Sequence, residues 1–289
     1  MKRIPYLILL AGLGFMLNSC EKYEEYMVDY QYSAVYFPHA AIDRTVIVGE
    51  YMEIGVGISL GGRFENNSEE WATYELDPDI LSGTEYTLLP EEYYSMDNSG
   101  TITIPEGKFQ GFTTVTIDPE LFCADSLALT SSYALGFRLL ETSVDSILTG
   151  MESTIISFKY INTYDGNYYH KGRAIGYSEG NPVDTMMYPE DDVWSLATFS
   201  TDGVTAPEMG NISGNAYLMD LVINPDNSVS IRKNPFAGKD VTAQSGEYDP
   251  DSRTFILEYS FSHEEKEYTA NDTLIFRNRI VDGVNQWDI

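Results

Sequence analysis

Beyond its first twenty residues the chain alternates apolar and polar positions with a period of two, and no stretch keeps the 3.6-residue period of an amphipathic helix. Thr101-Ile102-Thr103-Ile104 alternates and then meets a Pro105-Glu106-Gly107 turn. Thr113 to Ile117 interleaves Thr with Val and Ile, and Tyr133 to Leu140 and Thr154 to Ile161 read as central strands. Near the end Phe255, Leu257, Tyr259 and Phe261 share one face of a strand, while Ile256, Glu258, Ser260 and Ser262 share the other. Asn224-Pro225-Asp226-Asn227-Ser228 separates two such runs and predicts a hairpin loop. The one helix-like piece is Pro90 to Met96, about two turns at most. Strand upon strand with frequent turn signals predicts an all-β protein built from a sandwich or a barrel. A boundary falls near Asn162-Thr163, just before Tyr164-Asp165-Gly166.

The first twenty residues follow a different pattern. Lys2 and Arg3 precede an apolar run from Ile4 to Leu17. The run is shorter than the roughly 20 residues a helix needs to cross a bilayer, and it has the length and flanks of a signal-peptide core. It ends in Leu17-Asn18-Ser19-Cys20, which resembles the lipobox of bacterial lipoproteins. That resemblance implies a signal peptide over 1–19 and a lipid on Cys20; a plain secretory signal with a chance cysteine is the alternative. No later stretch is long or apolar enough to span a membrane, so the expected membrane attachment is the lipid. Glu21, Lys22, Tyr23, Glu24 and Glu25 begin an acidic tether over 20–30. An acidic stretch in this place resembles the signal that sends Bacteroidota lipoproteins to the outer face of the outer membrane. The expected location is therefore the outer membrane, lipid-anchored and facing the cell exterior, with the periplasmic face as the alternative.

Charge narrows the partners. The 289 residues include 45 acidic and 17 basic side chains, a formal net charge of −28. Such a field repels phosphate backbones, so nucleic acid is excluded as a partner. Anionic polysaccharides are disfavoured in the same way unless a local basic patch or a bound cation intervenes. Neutral glycans, peptides and cations stay open. With Cys20 lipidated, Cys123 has no disulfide partner, and Leu121-Phe122-Cys123-Ala124 marks it as a small buried apolar residue.

Two longer stretches carry a family resemblance. Tyr86-Thr87-Leu88-Leu89-Pro90-Glu91-Glu92-Tyr93-Tyr94, then Ile102 to Gly107, Val115-Thr116-Ile117 and Tyr133-Ala134-Leu135-Gly136-Phe137-Arg138-Leu139 follow one another in order. The order resembles an immunoglobulin-like N-terminal domain of uncharacterised function in Bacteroidota surface lipoproteins, also found ahead of family-18 endoglycosidase domains. That family usually reads Tyr-Ala-Leu-Pro where this chain has Gly136, a departure that bears on strand geometry. Tyr164-Asp165-Gly166-Asn167-Tyr168 with Gly172, and the closing Arg277-Asn278-Arg279-Ile280-Val281-Asp282-Gly283-Val284-Asn285-Gln286-Trp287, resemble a lipocalin-like C-terminal domain. The resemblance implies an immunoglobulin-like β-sandwich over 31–162 followed by a lipocalin-like antiparallel β-barrel over 163–289. It also implies a role: proteins of this pairing accompany glycan importers in polysaccharide utilisation and are taken to bind glycans at the cell surface.

No catalytic set is legible. His39, His170 and His263 show no metal-ligand spacing, and there is no Gly-x-Ser-x-Gly elbow and no phosphate-binding glycine loop. Glu190-Asp191-Asp192 lacks the alternating ligands of a calcium loop. The expectation is a protein without enzymatic activity, cofactor or metal. What remains is aromatic richness, with 22 Tyr, 13 Phe and 3 Trp. Sugars lay their C–H faces on aromatic rings, although β-proteins also fill their cores with them. Three rings stand out as glycan contacts. Trp71 follows the polar run Asn66 to Glu70, and Trp194 follows the acidic cluster at a barrel rim with Tyr188 nearby. Tyr168 and Tyr169 are neighbours on a strand, so one points in and one out, and Trp287 reads as a structural plug. The leading expectation is a non-catalytic surface glycan-binding lipoprotein that passes oligosaccharide, neutral by the overall charge, to an outer-membrane importer complex or a companion hydrolase. A structural or adhesion subunit binding proteins is the alternative, and an enzyme with an unrecognised carboxylate pair is a third reading.

Overall fold

The computed structural model describes residues 32–97 and 99–287. The lipobox, Cys20 and the acidic tether lie outside the described residues. The chain is all-β, as the alternation predicts. Eleven strands come first: β1 (Ala34–Tyr36), β2 (Ala41–Ile47), β3 (Glu53–Gly61), β4 (Glu70–Leu76), β5 (Thr87–Leu88), β6 (Tyr94–Met96), β7 (Thr101–Ile104), β8 (Gln110–Ile117), β9 (Tyr133–Thr142), β10 (Ser146–Ile147) and β11 (Ser153–Ile161). They form two sheets, ordered β10-β1-β3-β8-β6 and β2-β11-β9-β4-β7, with β5 added to β9. Val35, Val56, Ile58, Ile102, Val115, Phe137 and Phe158 fill the space between the sheets and are almost wholly buried. Each is one member of an alternating pair, so the partner residues face out.

Two details depart from the sequence expectation. The Pro90–Met96 helix is only a single 3₁₀ turn, Glu91–Tyr93. Tyr94–Met96 then continues as β6 and pairs with β8, Tyr94 opposite Ile117. Sheet pairing satisfies these backbone groups and leaves nothing for a second helical turn. Conversely, Pro119–Cys123 forms a short helix, α1, which the alternation conceals. Pro119 at its first turn and the Asp118 carboxylate, which accepts from the backbone N–H groups of Glu120 and Leu121, set its start.

Twelve further strands follow. They are β12 (Gly166–Ser178), β13 (Asn181–Met187), β14 (Val193–Ser200), β15 (Gly203–Ala206), β16 (Glu208–Met209), β17 (Ile212–Ser213), β18 (Met219–Ile223), β19 (Val229–Lys233), β20 (Val241–Asp249), β21 (Thr254–His263), β22 (Lys266–Val281) and β23 (Val284–Gln286). The order β19-β18-β15-β14-β12-β22-β21-β20 curls into an eight-stranded, nearly closed barrel. A bridge between Ser228 and Glu247 and the Tyr248 N–H donating to Asn227 O at 2.9 Å draw its two edges together. The predicted hairpin at Asn224–Ser228 joins β18 to β19. Phe255, Leu257, Tyr259 and Phe261 point inward as their spacing predicts, and they build a second core with Trp194, Leu196, Leu221 and Leu274.

The passage between the two cores is rigid in its bonding. Asn162 is buried, and its side-chain amide donates to Ser200 O at 2.8 Å and Gly203 O at 2.9 Å. Its Oδ1 accepts from the backbone N–H groups of Tyr164 and Asp165. The closing motif reaches back to the sandwich. Arg279, 1% exposed, donates from Nη2 to Glu50 Oε2 at 2.7 Å, and Asp282 accepts from the hydroxyl of Thr45 at 2.8 Å. Trp287, expected as a plug, is instead 52% exposed, with the Arg277 guanidinium 5.6 Å from its ring centre. The β23 strand before it pairs with β22, Arg279 opposite Gln286, and the indole just beyond this ladder faces solvent.

Candidate functional site

Two places in the molecule gather chemistry, one inside the barrel and one on the face of the sandwich. The first begins at β12, where period two sends Tyr168 and His170 inward and Tyr169 outward, as their adjacency predicts. Tyr168 is fully buried and Tyr169 is 39% exposed. The His170 ring lies between two others, its centre 4.2 Å from that of Tyr188 and 3.9 Å from that of Trp194. His170 Nδ1 is 2.7 Å from Asp192 Oδ2, and Nε2 is 3.4 Å from Asp272 Oδ2 without hydrogen-bond alignment. Asp272 sits in the inward row of β22 between Ala270 and Leu274 with no exposed side-chain surface. Its side-chain oxygens have partners there, because the hydroxyls of Tyr188 and Tyr259 donate to them at 2.7 and 2.5 Å. Burial, and then the Asp272 charge, push both phenols far above their ordinary range, so they stay protonated donors. Burial likewise raises the carboxyl of Glu208, as does the Asp192 charge.

This cluster is closed. Trp194, expected at a rim, is 1% exposed because Trp194 and Leu196 share the inward face of β14. Tyr188 is half-buried, its hydroxyl committed to Asp272. Trp71 is far from both in the fold. It lies on β4 of the sandwich, 38% exposed, and not in a loop. The polar run before it looks like a loop because Glu70 is charged, yet Glu70 points inward and accepts from Arg63 Nη1 at 2.7 Å, Ser143 Oγ at 2.6 Å and Ser68 Oγ at 2.8 Å. The structure thus brings Trp194 and Tyr188 together around His170 and leaves Trp71 apart. His39 is exposed, and the hydroxyl of Tyr217 lies 2.7 Å from His263 Nδ1. Cys123 is buried and free, and burial pushes its thiol up to about 11, which keeps it protonated and unreactive at neutral pH. Among the described residues, no three His, Cys, Asp or Glu side chains are placed to hold a metal ion.

The second place is open. The outward face of β3 starts with Glu53, and its remaining positions, Gly55, Gly57, Ser59 and Gly61, are all small, while its inward positions are Ile54, Val56, Ile58 and Leu60. The missing side chains leave room for rings from the neighbouring strands. Phe112 of β8, opposite Gly57, lies against the β3 backbone; a Cβ on Gly57 would stand 2.5 Å from its Cε1. Tyr36 of β1 covers Gly61 in the same way, with 3.3 Å between its Cε1 and the position of a Cβ. One face of the Phe112 ring therefore rests on backbone while the ring stays 60% exposed. Because β1 ends at Tyr36, opposite Ser59, the first half of β3 has no partner on that side, and the chain crosses there to become β2. The result is a trough in two contiguous parts, about 160 and 420 Å³, which share Ser59, Gln110 and Phe112. His39 and Arg44 line the first part, and Lys108 and Phe109 line the second. Aromatic rings, a hydroxyl, an amide and cations on an exposed sheet face make a surface that packs on and hydrogen-bonds a polar, partly apolar ligand.

The sequence reading did not single out these residues. The signal was present in Gly55-Val56-Gly57-Ile58-Ser59-Leu60-Gly61, a strand whose one face is strongly apolar and whose other face is almost bare.

Residues 29–146 match a family model described as a "-like, N-terminal domain". No curated protein matches the chain. Among solved structures, a protein of unknown function from Bacteroides ovatus superposes with a TM-score of 0.69 at 19% identity, covering 90% of this chain and 98% of that one. A second protein of unknown function from Bacteroides ovatus gives a TM-score of 0.45 at 13% identity, over 90% of this chain and 100% of the other. An auxiliary nutrient binding protein from Bacteroides thetaiotaomicron gives 0.43 at 14% identity, over 85% of this chain and 93% of the other. At these identities the likeness to the first structure is one of fold, sandwich and barrel together, running nearly the whole length of both chains.

Proposed function

We propose that the protein is a non-catalytic, cell-surface lipoprotein, anchored through Cys20 to the outer membrane, that captures oligosaccharide for import or for a companion hydrolase. The observation that carries this reading is the open trough on the sandwich, where Phe112 packs over Gly57 and Tyr36 against Gly61, beside Ser59 and Gln110. A ring that rests on a strand on one side keeps its other side free for a sugar's C–H face, and the strand contact restricts the ring before binding. The polar groups of the barrel bond mainly to one another, and His170 and Asp272 are buried, which favours a structural role for that cluster. A lipid tether would hold the trough beside a membrane importer, where modest affinity suffices because released ligand stays local.

The test is affinity gel electrophoresis and titration calorimetry of the detergent-solubilised full chain against a panel of plant and host polysaccharides. Retardation by at least one polysaccharide, abolished by Phe112→Ala without loss of fold, is the expected result. Failure to bind any member of the panel would sink the reading. Labelling of intact cells with an antibody to the sandwich, lost in a Cys20→Ala strain, checks the location.

A further inference from the structure

We infer that the ligand of the trough is an anionic oligosaccharide, bearing carboxylate or sulfate groups, held by Arg44 and Lys108 while Phe112 and Tyr36 pack on its rings; this deepens the functional reading above and rests on it. The lining is the reason. The chain carries 45 acidic and 17 basic residues, yet neither part of the trough is lined by a single carboxylate, while Arg44, Lys108 and His39 all reach it. The acidic excess of the whole chain is inverted where exposed rings, small residues and a concave shape coincide.

The cations are available. Lys108 is exposed and has no ion-pair partner among the described residues. Arg44 has a third of its side chain in water, and its nearest carboxylate, Asp282, is 3.9 Å away. That separation is at the outer limit of an ion pair, and the Asp282 carboxylate already accepts from the backbone N–H and hydroxyl of Thr45, so the guanidinium is left with donors for a ligand oxyanion. Arginine offers a planar fork that fits a carboxylate or sulfate through two parallel N–H bonds, and lysine adds a point charge.

The net charge of −28 argues against an anionic ligand only at long range. At physiological ionic strength the Debye length is about 8 Å, so acids on distant faces are screened while cations touching the ligand are not. The repulsion slows approach; the local contacts decide whether the ligand stays. Distance along the strand also favours a chain over a single sugar. Gly57 and Gly61, under the two rings, are four residues apart, roughly 13 Å along β3.

The experiment is calorimetry of the detergent-solubilised full chain with three probes: oligogalacturonate, which carries only carboxylates; a sulfated galactan, which carries only sulfates; and an unsulfated galactan as the neutral control. Three variants accompany the native chain, namely Phe112→Ala, Lys108→Gln and the double variant Arg44→Gln/Lys108→Gln, each checked by thermal melting. The expected result is binding to one of the two anionic probes, identifying which oxyanion is read, with affinity falling as salt rises. The double variant should lose at least about tenfold in affinity, in the range of removing close charge contacts, and Phe112→Ala should lose binding as well. Lys108→Gln, at an exposed side chain without a partner, keeps the test valid if the Arg44 change disturbs folding. Binding of the neutral galactan through Phe112 with no effect of Arg44 or Lys108 would overturn the inference and leave the functional reading standing. Binding of an anionic probe that none of the variants weakens would place its site elsewhere and also overturn the inference. Binding of none of these probes, or of anything in the wider panel, would remove the functional reading itself.

Discussion

Glu70 shows how a single charged residue can mislead a reading of the chain and still be structurally necessary. It looks like part of a polar loop, but it is buried and holds Arg63, Ser68 and Ser143 to one carboxylate. Burial raises its pKa, but the three hydrogen bonds and the Arg63 charge together outweigh burial and hold the carboxyl below its ordinary 4.5. A carboxyl whose folded pKa is depressed stabilises the fold above the unfolded pKa, and that contribution is lost as pH falls through the folded value. Denaturant melts should therefore show stability declining below about pH 4.5, with Glu70→Gln less stable at neutral pH and flatter in its acid limb. An unchanged acid limb in the variant would show that other carboxylates set it. The same logic of paired burial explains Asp272, whose two tyrosine donors let a carboxylate sit in an otherwise apolar row. Asp272 lies in the inward row of β22, and nothing in the sequence announces which tyrosines will meet it.

At the scale of elements, the alternation makes the central strands β7, β8, β9, β11 and β21 legible, because side chains on a strand must point to opposite sides and one side here is a core. Pro90–Met96 was misleading because local propensity favours a helical turn while the neighbouring edge of β8 offers hydrogen bonds to a strand. Gly136 is a second case where a neighbour decides. A Cβ at this position would stand 2.5 Å from Asp77 O and 3.0 Å from Ile80 Cβ, because the 3₁₀ segment Pro78–Leu81 lies directly on β9 there. The strand itself continues unbroken, with Gly136 paired to Ile155. Gly136→Ala should cost about 1–3 kcal/mol, the usual penalty of overpacking, read as a lowered chemical-denaturation midpoint. No change in the midpoint would mean that Pro78–Leu81 yields without cost. The bare face of β3 follows the same principle in reverse, since its glycines leave space that Phe112 and Tyr36 occupy.

For the whole molecule the decisive contacts join the two cores. Arg279 is buried and its guanidinium grips Glu50 through Nη1 and Nη2, at 3.3 and 2.7 Å, while Asp282 takes the backbone N–H and hydroxyl of Thr45. The terminal motif, which as sequence only marks a family pattern, is in the structure the strap that ties barrel to sandwich. Removing one partner of a largely buried pair leaves the other uncompensated, so Arg279→Ala should destabilise by about 3 kcal/mol, the lower end for such pairs because Glu50 still reaches water. In calorimetry the single unfolding transition expected of the native chain should broaden or split in the variant as the two cores uncouple. A single sharp transition at the native temperature would show that Asn162 and the remaining contacts suffice.

The sequence by itself determined the all-β class, several of its central strands, the hairpin at 224–228, and the inward row Phe255, Leu257, Tyr259 and Phe261, because those follow from local sterics and a period of two. Only the tertiary structure decided what lies against each face. It closed the barrel around Trp194 and His170, lifted Trp287 into solvent, and set Phe112 on Gly57 and Arg44 beside the same hollow. Such contacts join residues far apart in the chain, and their geometry depends on how two sheets meet, which no local pattern encodes.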